Sequence, residues 1–171
     1  MTPDLVRADI RRLPFPDGAF PMAIAPYGIL QSLLSERDLA TTLADVARVV
    51  ARDGIFGLEL VADLPAWGEY GRRVSLRGRR GRGSGRQVTL YESVRQDRRR
   101  GLTIFDQEFV EGRGRAAQRR RFALTFRTLS VPQMARRLEK AGFRLEMLLG
   151  DYQGGPWDPR AEVWIILARK V

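Results

Sequence analysis

Apolar residues recur along this chain with two different periods, and the change of period marks its parts. Residues 5–8 (LVRA) are a short apolar run that predicts a strand ending at Asp9. RRLPFPDGAF follows and reads as a loop, with two prolines and an Asp-Gly turn signal. Residues 20–25 (FPMAIA) form a second apolar run of the kind buried in parallel sheets, with Pro21 tolerable only near its start. From 35 to 51 the period becomes helical. Leu39, Leu43, Val46, Ala47 and Val50 fall on one face, Ser35 stands at the N-cap with Asp38 three residues on, and Asp53-Gly54 is expected to stop the helix. Residues 55–61 (IFGLELV) then read as a buried strand.

The last part repeats this alternation. Residues 131–141 predict an amphipathic helix, with Ser130 as cap, Pro132 in its first turn and Gly142 as its stop. Residues 143–149 predict a strand, DYQGGPWDPR a turn-rich connection, and residues 162–169 a closing strand. Two strands joined without a helix pair most simply antiparallel.

The middle is different. QVTLYESVRQ, LTIFDQEFVEG and RRRFALTFRTL alternate polar with apolar residues, and predict an antiparallel patch inserted into an α/β frame. The preceding RRVSLRGRRGRGSGR is low in complexity and reads as a mobile connection. The organisation expected is one domain over 1–171, with an α/β part at 1–62, the inserted region at 63–129, and a closing helix and strand pair at 130–171.

Composition narrows the chemistry. At 171 residues and 44% apolar, the chain is of a size and composition to bury a core. No apolar run approaches the roughly 20 residues that span a bilayer, and no secretory signal stands at the N-terminus, so a cytoplasmic protein without a membrane is expected. There is no cysteine and no histidine, which excludes disulfides, Cys/His zinc sites and Ser-His-Asp or Cys-His nucleophiles. Proton chemistry falls to Asp, Glu, Tyr or Lys. The net charge is +10 and almost all of the positive charge is arginine, since Lys140 and Lys170 are the only lysines.

ADIRRLPFPDGAF, MAIAPYGILQSLL, LADVARVVARDGIFGLELV and EKAGFRLEMLLGDYQGGPWDPRAEVWIILARK, in that order, resemble the class I S-adenosylmethionine-dependent methyltransferases over about two thirds of the chain. That family shows an Asp at the end of its third strand, a Leu-Pro-Phe loop, a fourth strand, a helix and a fifth strand, and closes with a helix ending Ala-Gly-Phe and two antiparallel strands. Pro21 stands where the family usually has Asp, and Arg52-Asp53-Gly54 replaces its Pro-Gly-Gly. The fold implied is a partial Rossmann-like sheet, family strands three to seven, with the antiparallel patch inserted. The family's first strand, Gly-rich loop and second strand should precede Leu5 by about 60 to 70 residues, and their absence implies weak cofactor binding by this chain.

The resemblance implies S-adenosylmethionine as cofactor and a small-molecule methyl acceptor. Asp9 would accept from the adenine amino group while the Ile10 N–H meets a ring nitrogen. Ala25, Pro26 and Tyr27 would run beside the methionine part, at the carboxyl end of a parallel strand. Gln31 is a candidate polar substrate contact. Trp67, Tyr70, Tyr91, Tyr152 and Trp157 are candidate aromatic walls for a cationic or flat substrate. Glu59 and Asp63 are candidate carboxylates for proton transfer, although no residue stands out as catalytic. Gly81-Arg82-Gly83-Ser84-Gly85 lacks the strand and helix that a dinucleotide loop requires. The rival reading is a non-catalytic module that uses the arginine runs at 72–86, 98–100 and 113–121 on nucleic acid or another polyanion.

Overall fold

The structure is a computed structural model that describes residues 4–61, 67–80, 85–161 and 163–171. The chain forms two compact units, residues 1–62 with 129–171, and residues 63–128.

The first unit is built on a four-stranded mixed sheet. Strand β1 (Phe20–Ala25) leads through a 3-10 turn (Ile29–Ser32) into helix α1 (Glu36–Val49), which is followed by β2 (Val50–Val61). Helix α2 (Val131–Lys140), β7 (Phe143–Leu149) and β8 (Val163–Lys170) complete it. The strand order is β1-β2-β8-β7. β1 and β2 are parallel, and β8 runs antiparallel to both of its neighbours, as expected for strands joined without a helix.

The helices start where local chemistry allows. Ser35 Oγ accepts from the Asp38 N–H at 3.3 Å, and Glu36 and Asp38 place negative charge in the first turn of α1. Ser130 and Gln133 form a reciprocal capping box on α2, with Pro132 in its first turn. Both helices bury their apolar stripes on the same side of the sheet. Leu39, Leu43 and Val46 of α1 and Met134 and Leu138 of α2 meet Phe56, Leu58, Leu60, Phe143, Ile166 and Ala168. The Phe56 and Phe143 rings lie 5.6 Å apart at the centre.

The opposite side of the sheet is apolar and much less covered. Leu167 and Ile24 close over Gly57, yet Ile24 is 72% and Met22 57% exposed. β1 also ends the sheet, so its outer N–H and C=O groups have no strand neighbour among the described residues.

Three sequence expectations change. Residues 5–8 are not a strand: they join no ladder, and Leu5 is 90% exposed. A strand needs a partner for its backbone groups, and none lies beside these residues among the described residues. The only pairing nearby is the isolated Asp9–Arg12 bridge. Helix α1 ends at Val49 rather than 51, because Val50 turns extended and pairs with Phe20. Asp53-Gly54 then forms an irregularity inside β2, with Asp53 at φ 60°, rather than stopping the helix.

The loop between residues 9 and 19 is tied to α1. Arg48 donates to the carbonyls of Leu13 and Phe15 and to the carboxylates of Asp17 and Asp45, while Asp45 also accepts from the Leu13 N–H. Replacing Arg48 with alanine is expected to lower the unfolding midpoint, since several charge-assisted bonds go together. Urea unfolding of R48A checks this.

The second unit is a four-stranded antiparallel sheet in the order β3-β4-β5-β6. Its strands are β3 (Tyr70–Arg80), β4 (Arg86–Asp97), β5 (Leu102–Glu111) and β6 (Gln118–Arg127). The third correction falls here: residues 72–80, the first part of the 72–86 stretch read from sequence as mobile connection, belong to β3. Val74 and Leu76 pair with Tyr91 and Leu90, and the guanidinium groups of Arg72 and Arg73 lie over the rings of Tyr91 and Tyr70. Residues 81–84 of the glycine run lie outside the described residues. One side of this sheet is apolar, with Leu90, Val94 and Phe105 buried and Phe109 and Phe122 meeting edge to face at 5.8 Å.

Candidate functional site

The carboxyl ends of β1 and β2 lie side by side, which is where open parallel sheets hold ligands. Chain leaving β1 passes through Ala25, Pro26, Tyr27 and Gly28. Tyr27 (φ 57°) and Gly28 (φ 62°) are both left-handed, a conformation that costs an L-residue roughly 1–2 kcal/mol. The turn is held from below by Gln31. Its Oε1 accepts from the Val61 N–H at 2.8 Å and its Nε2 donates to the Val61 carbonyl at 3.3 Å. Gln31 is fully buried, so its amide braces the turn against the end of β2 instead of facing a substrate.

The side-chain cluster at this end centres on Glu59. One carboxylate oxygen, Oε2, accepts both the Tyr27 N–H at 3.1 Å and the Tyr152 hydroxyl at 2.7 Å. The hydrogen bond to Glu59, followed by partial desolvation and the carboxylate's charge, pushes the Tyr152 hydroxyl up to about 12. Tyr152 therefore stays a donor across the neutral range. Tyr27 and Tyr152 are themselves 80% and 73% exposed.

Tyr152 is delivered by the loop after β7. Asp151 Oδ1 accepts from the N–H groups of Gln153 and Gly155, both at 2.8 Å, and these backbone bonds lower its carboxyl from the ordinary value. Trp157 of the same loop turns inward and meets Trp164 edge to face at 6.0 Å, which makes it part of the core margin rather than a pocket wall.

Asp9 and Ile10 lie on the loop before β1. Asp9 is held by Arg11, whose side chain and N–H all donate to its carboxylate. Those bonds depress its carboxyl to about 2, and Arg11 reaches on to Asp38 of α1 at 3.0 Å. An adenine amino group arriving at Asp9 would therefore share an oxygen that Arg11 already orients.

Trp67, Tyr70 and Tyr91 belong to the second unit and have partners there. The Trp67 ring meets Phe105 at 5.0 Å. Tyr70 donates to Glu92 Oε1 at 2.7 Å beneath the Arg73 guanidinium, and burial followed by that bond pushes its hydroxyl up. Tyr91 lies beneath Arg72. Asp63 lies outside the described residues.

Among the described residues, no three His, Cys, Asp or Glu side chains gather to hold a metal, and no helix is long and apolar enough to cross a membrane. The helices of the first unit also flank a groove of about 510 Å³, lined by residues such as Ala40, Ala44, Gln133 and Arg136. Sequence reading named Tyr27, Glu59 and Tyr152 separately but not their convergence, and it passed over Gly28. The visible signals were a glutamate on the off-beat of an apolar strand and a glycine after a strand-ending tyrosine.

No family model matches the sequence, and no curated protein matches it. Solved structures do match in fold. A S-adenosylmethionine-dependent methyltransferase from Clostridium acetobutylicum ATCC 824 superposes with a TM-score of 0.79 at 14% identity, covering 99% of this chain and 65% of its own. The CcbJ methyltransferase from Streptomyces caelestis gives 0.71 at 12% identity, covering 97% and 67%. The sugar N-methyltransferase KedS8 from Streptoalloteichus sp ATCC 53650 gives 0.71 at 13% identity, covering 96% and 61%. The fold is thus that of the class I methyltransferases, in part: the chain spans about two thirds of the length of the structures it matches.

Proposed function

We propose that this chain is the acceptor-facing part of a S-adenosylmethionine-dependent methyltransferase whose substrate is a small molecule carrying an amine. The observation that carries the reading is the meeting of Tyr27, Glu59 and Tyr152 at the carboxyl ends of two parallel strands. A carboxylate bonded to two largely exposed tyrosines suits a cation, whether a sulfonium or an acceptor ammonium. The likeness to KedS8, a sugar N-methyltransferase, supports an amine as acceptor.

Bound cofactor supplies a methyl group on a sulfonium, already activated for transfer to a nucleophile. The protein's part is to align and to exclude water. Ala25, Pro26 and Tyr27 border the methionine portion, and Asp9 with the Ile10 N–H receives adenine. Tyr152 and the Tyr27 N–H fix one oxygen of Glu59, which orients the other to hold the acceptor's ammonium and to take its proton.

The residues present fit the cofactor only in part. Acceptors for adenine and for a cation are here, whereas no second strand-end carboxylate for ribose and no Gly-rich turn after a strand is found among the described residues. We infer that strands beyond the open β1 edge complete the pocket, and that this chain alone binds cofactor poorly. Calorimetric titration with S-adenosylmethionine is expected to give a dissociation constant weaker than about 0.1 mM. A micromolar constant would show the pocket to be complete without further strands. Saturation-transfer NMR reads weak binding: transfer to the adenine protons of S-adenosylhomocysteine, diminished in Asp9→Ala, supports the assignment, and its absence at millimolar ligand contradicts it.

A further inference from the structure

The charge of this chain is not spread over it. Residues 63–128 hold 17 arginines against 7 carboxylates and no lysine, so the whole net charge of +10 lies in the second unit. The first unit carries 13 basic and 13 acidic residues and is neutral. A compositional preference for arginine would act on the entire chain and would not separate the charge in this way.

The ladder collects part of that charge on one face. Directly opposed residues of an antiparallel sheet project to the same side. One row across the four strands is Arg77, Thr89, Val110, Arg119, and the next carries Tyr91, Glu108, Arg121. Arg72 lies over Tyr91, its guanidinium carbon 3.3 Å from the ring centre. Glu108 is the one carboxylate in these rows, and Arg72, Arg119 and Arg121 all share it, at 3.1, 3.4 and 3.2 Å. The hydrogen bond from Arg72, with those from Arg121 and Arg119, outweighs desolvation and holds the Glu108 carboxyl below its ordinary value.

Two adjoining concavities of about 470 Å³ each open on this face, and Tyr91 and Arg119 line both. The walls of the first include Arg77, Arg113, Arg119, Thr89 and Gln87, with no carboxylate among its lining residues. Gly112 and Gly114, both at positive φ, shape the turn that bounds it. Guanidinium groups bind phosphate oxygens bidentately, and a hydroxyl and an amide add neutral donors. In the second, Glu108 grips the Nε and Nη2 edge of Arg72, which fixes the guanidinium plane on Tyr91. The Arg72 side chain is 51% exposed, so the outer face of that plane is open to a flat ring. Nucleobases stack on guanidinium planes of this kind.

We propose that this face of the β3–β6 sheet binds single-stranded nucleic acid, with phosphates at Arg77, Arg113 and Arg119 and a base on the Arg72–Tyr91 stack. An acidic peptide would satisfy the arginines but leave the stack without a partner. A membrane surface needs an apolar rim, whereas Leu90, Val94, Phe105, Phe109 and Phe122 lie on the other side of this sheet and Val74 and Val110 stand singly among the arginines of this one.

The test uses the 171-residue chain and a fluorescent single-stranded RNA of about 15 nucleotides, read by anisotropy between roughly 50 and 200 mM salt. Binding is expected to weaken with salt along a log–log slope of about −2 to −3, at about 0.7 per phosphate neutralised. The triple variant R77A/R113A/R119A is expected to bind at least about tenfold more weakly, with a slope flatter by about 2. A charge-matched control in the first unit, R37A/R136A/R144A, is expected to stay within about twofold of the parent. R72K keeps the charge and loses the plane, so it is expected to weaken binding several-fold at unchanged slope. Equal losses in the two triple variants would reduce the effect to net charge and overturn the proposal. So would displacement of the RNA by uridine 5′-monophosphate at equal phosphate concentration, displacement by poly-glutamate at equal charge, or no binding at the lowest salt.

Discussion

Gly28→Val is expected to cost roughly 2–4 kcal/mol and to remove whatever ligand response the strand ends possess. Gly28 sits at φ 62°, and a Cβ built there lies 2.7 Å from Gln31 Oε1 and 2.9 Å from Val61 Cγ2. A β-branched side chain is strained at that φ in any surroundings, and here it also strikes the two groups that brace the turn. Either Gln31 releases the Val61 N–H and carbonyl, which then lose that partner, or the turn carrying Tyr27 moves off Glu59. Tyr27→Gly is the informative companion, because it relieves a left-handed L-residue. It is expected to leave stability unchanged or slightly raised while weakening ligand binding. Chemical denaturation of the two variants separates these effects. A G28V protein as stable as the parent would mean that the turn is not held as described.

Glu59→Gln is expected to bring the Tyr152 hydroxyl from about 12 back toward its ordinary value of 10.0, because the carboxylate is the main cause of the shift. The sign of the linkage follows. A tyrosine whose folded value is raised contributes stability that is fully present below pH 10 and is lost as the pH rises through about 12. Tyr152 is largely exposed, so the effect belongs in the titration curve rather than in a large change of stability. Alkaline ultraviolet titration, taken as the difference between parent and Tyr152→Phe, isolates the late transition, and E59Q should move it earlier, by less than the full shift because the partial desolvation of the hydroxyl remains. An unmoved transition would mean that Tyr152 is not bonded to Glu59 in solution.

The elements that could be read from sequence are those whose causes are local. Helices α1 and α2 carry their caps and apolar stripes within a dozen residues, and β7 and β8 are short apolar runs with turn residues on both sides. Residues 5–8 misled because an apolar run becomes a strand only beside another strand. β3 was hidden for the opposite reason: its arginines read as solvated, while in the fold the Arg73 and Arg72 guanidinium groups lie over Tyr70 and Tyr91. The candidate site was legible in its parts. Tyr27 and Glu59 are 32 residues apart and Tyr152 and Glu59 are 93 apart, and nothing local in the chain records that they share one oxygen. The segregation of charge into the second unit needed the unit boundary, since the arginine runs look alike until the neutral part is separated from them.

That methyl donor binds across the carboxyl ends of β1 and β2 is tested most directly by residue. An amide-resolved NMR titration of this chain with S-adenosylhomocysteine, to about 5 mM, reads weak binding at each N–H. The shifts should gather at Ile10, Ala25, Tyr27 and Gly28, with the Tyr152 ring following. Shifts gathered instead in the α1–α2 groove around Ala44 and Arg136, or none anywhere in the first unit, would contradict the assignment of this end of the sheet to the cofactor.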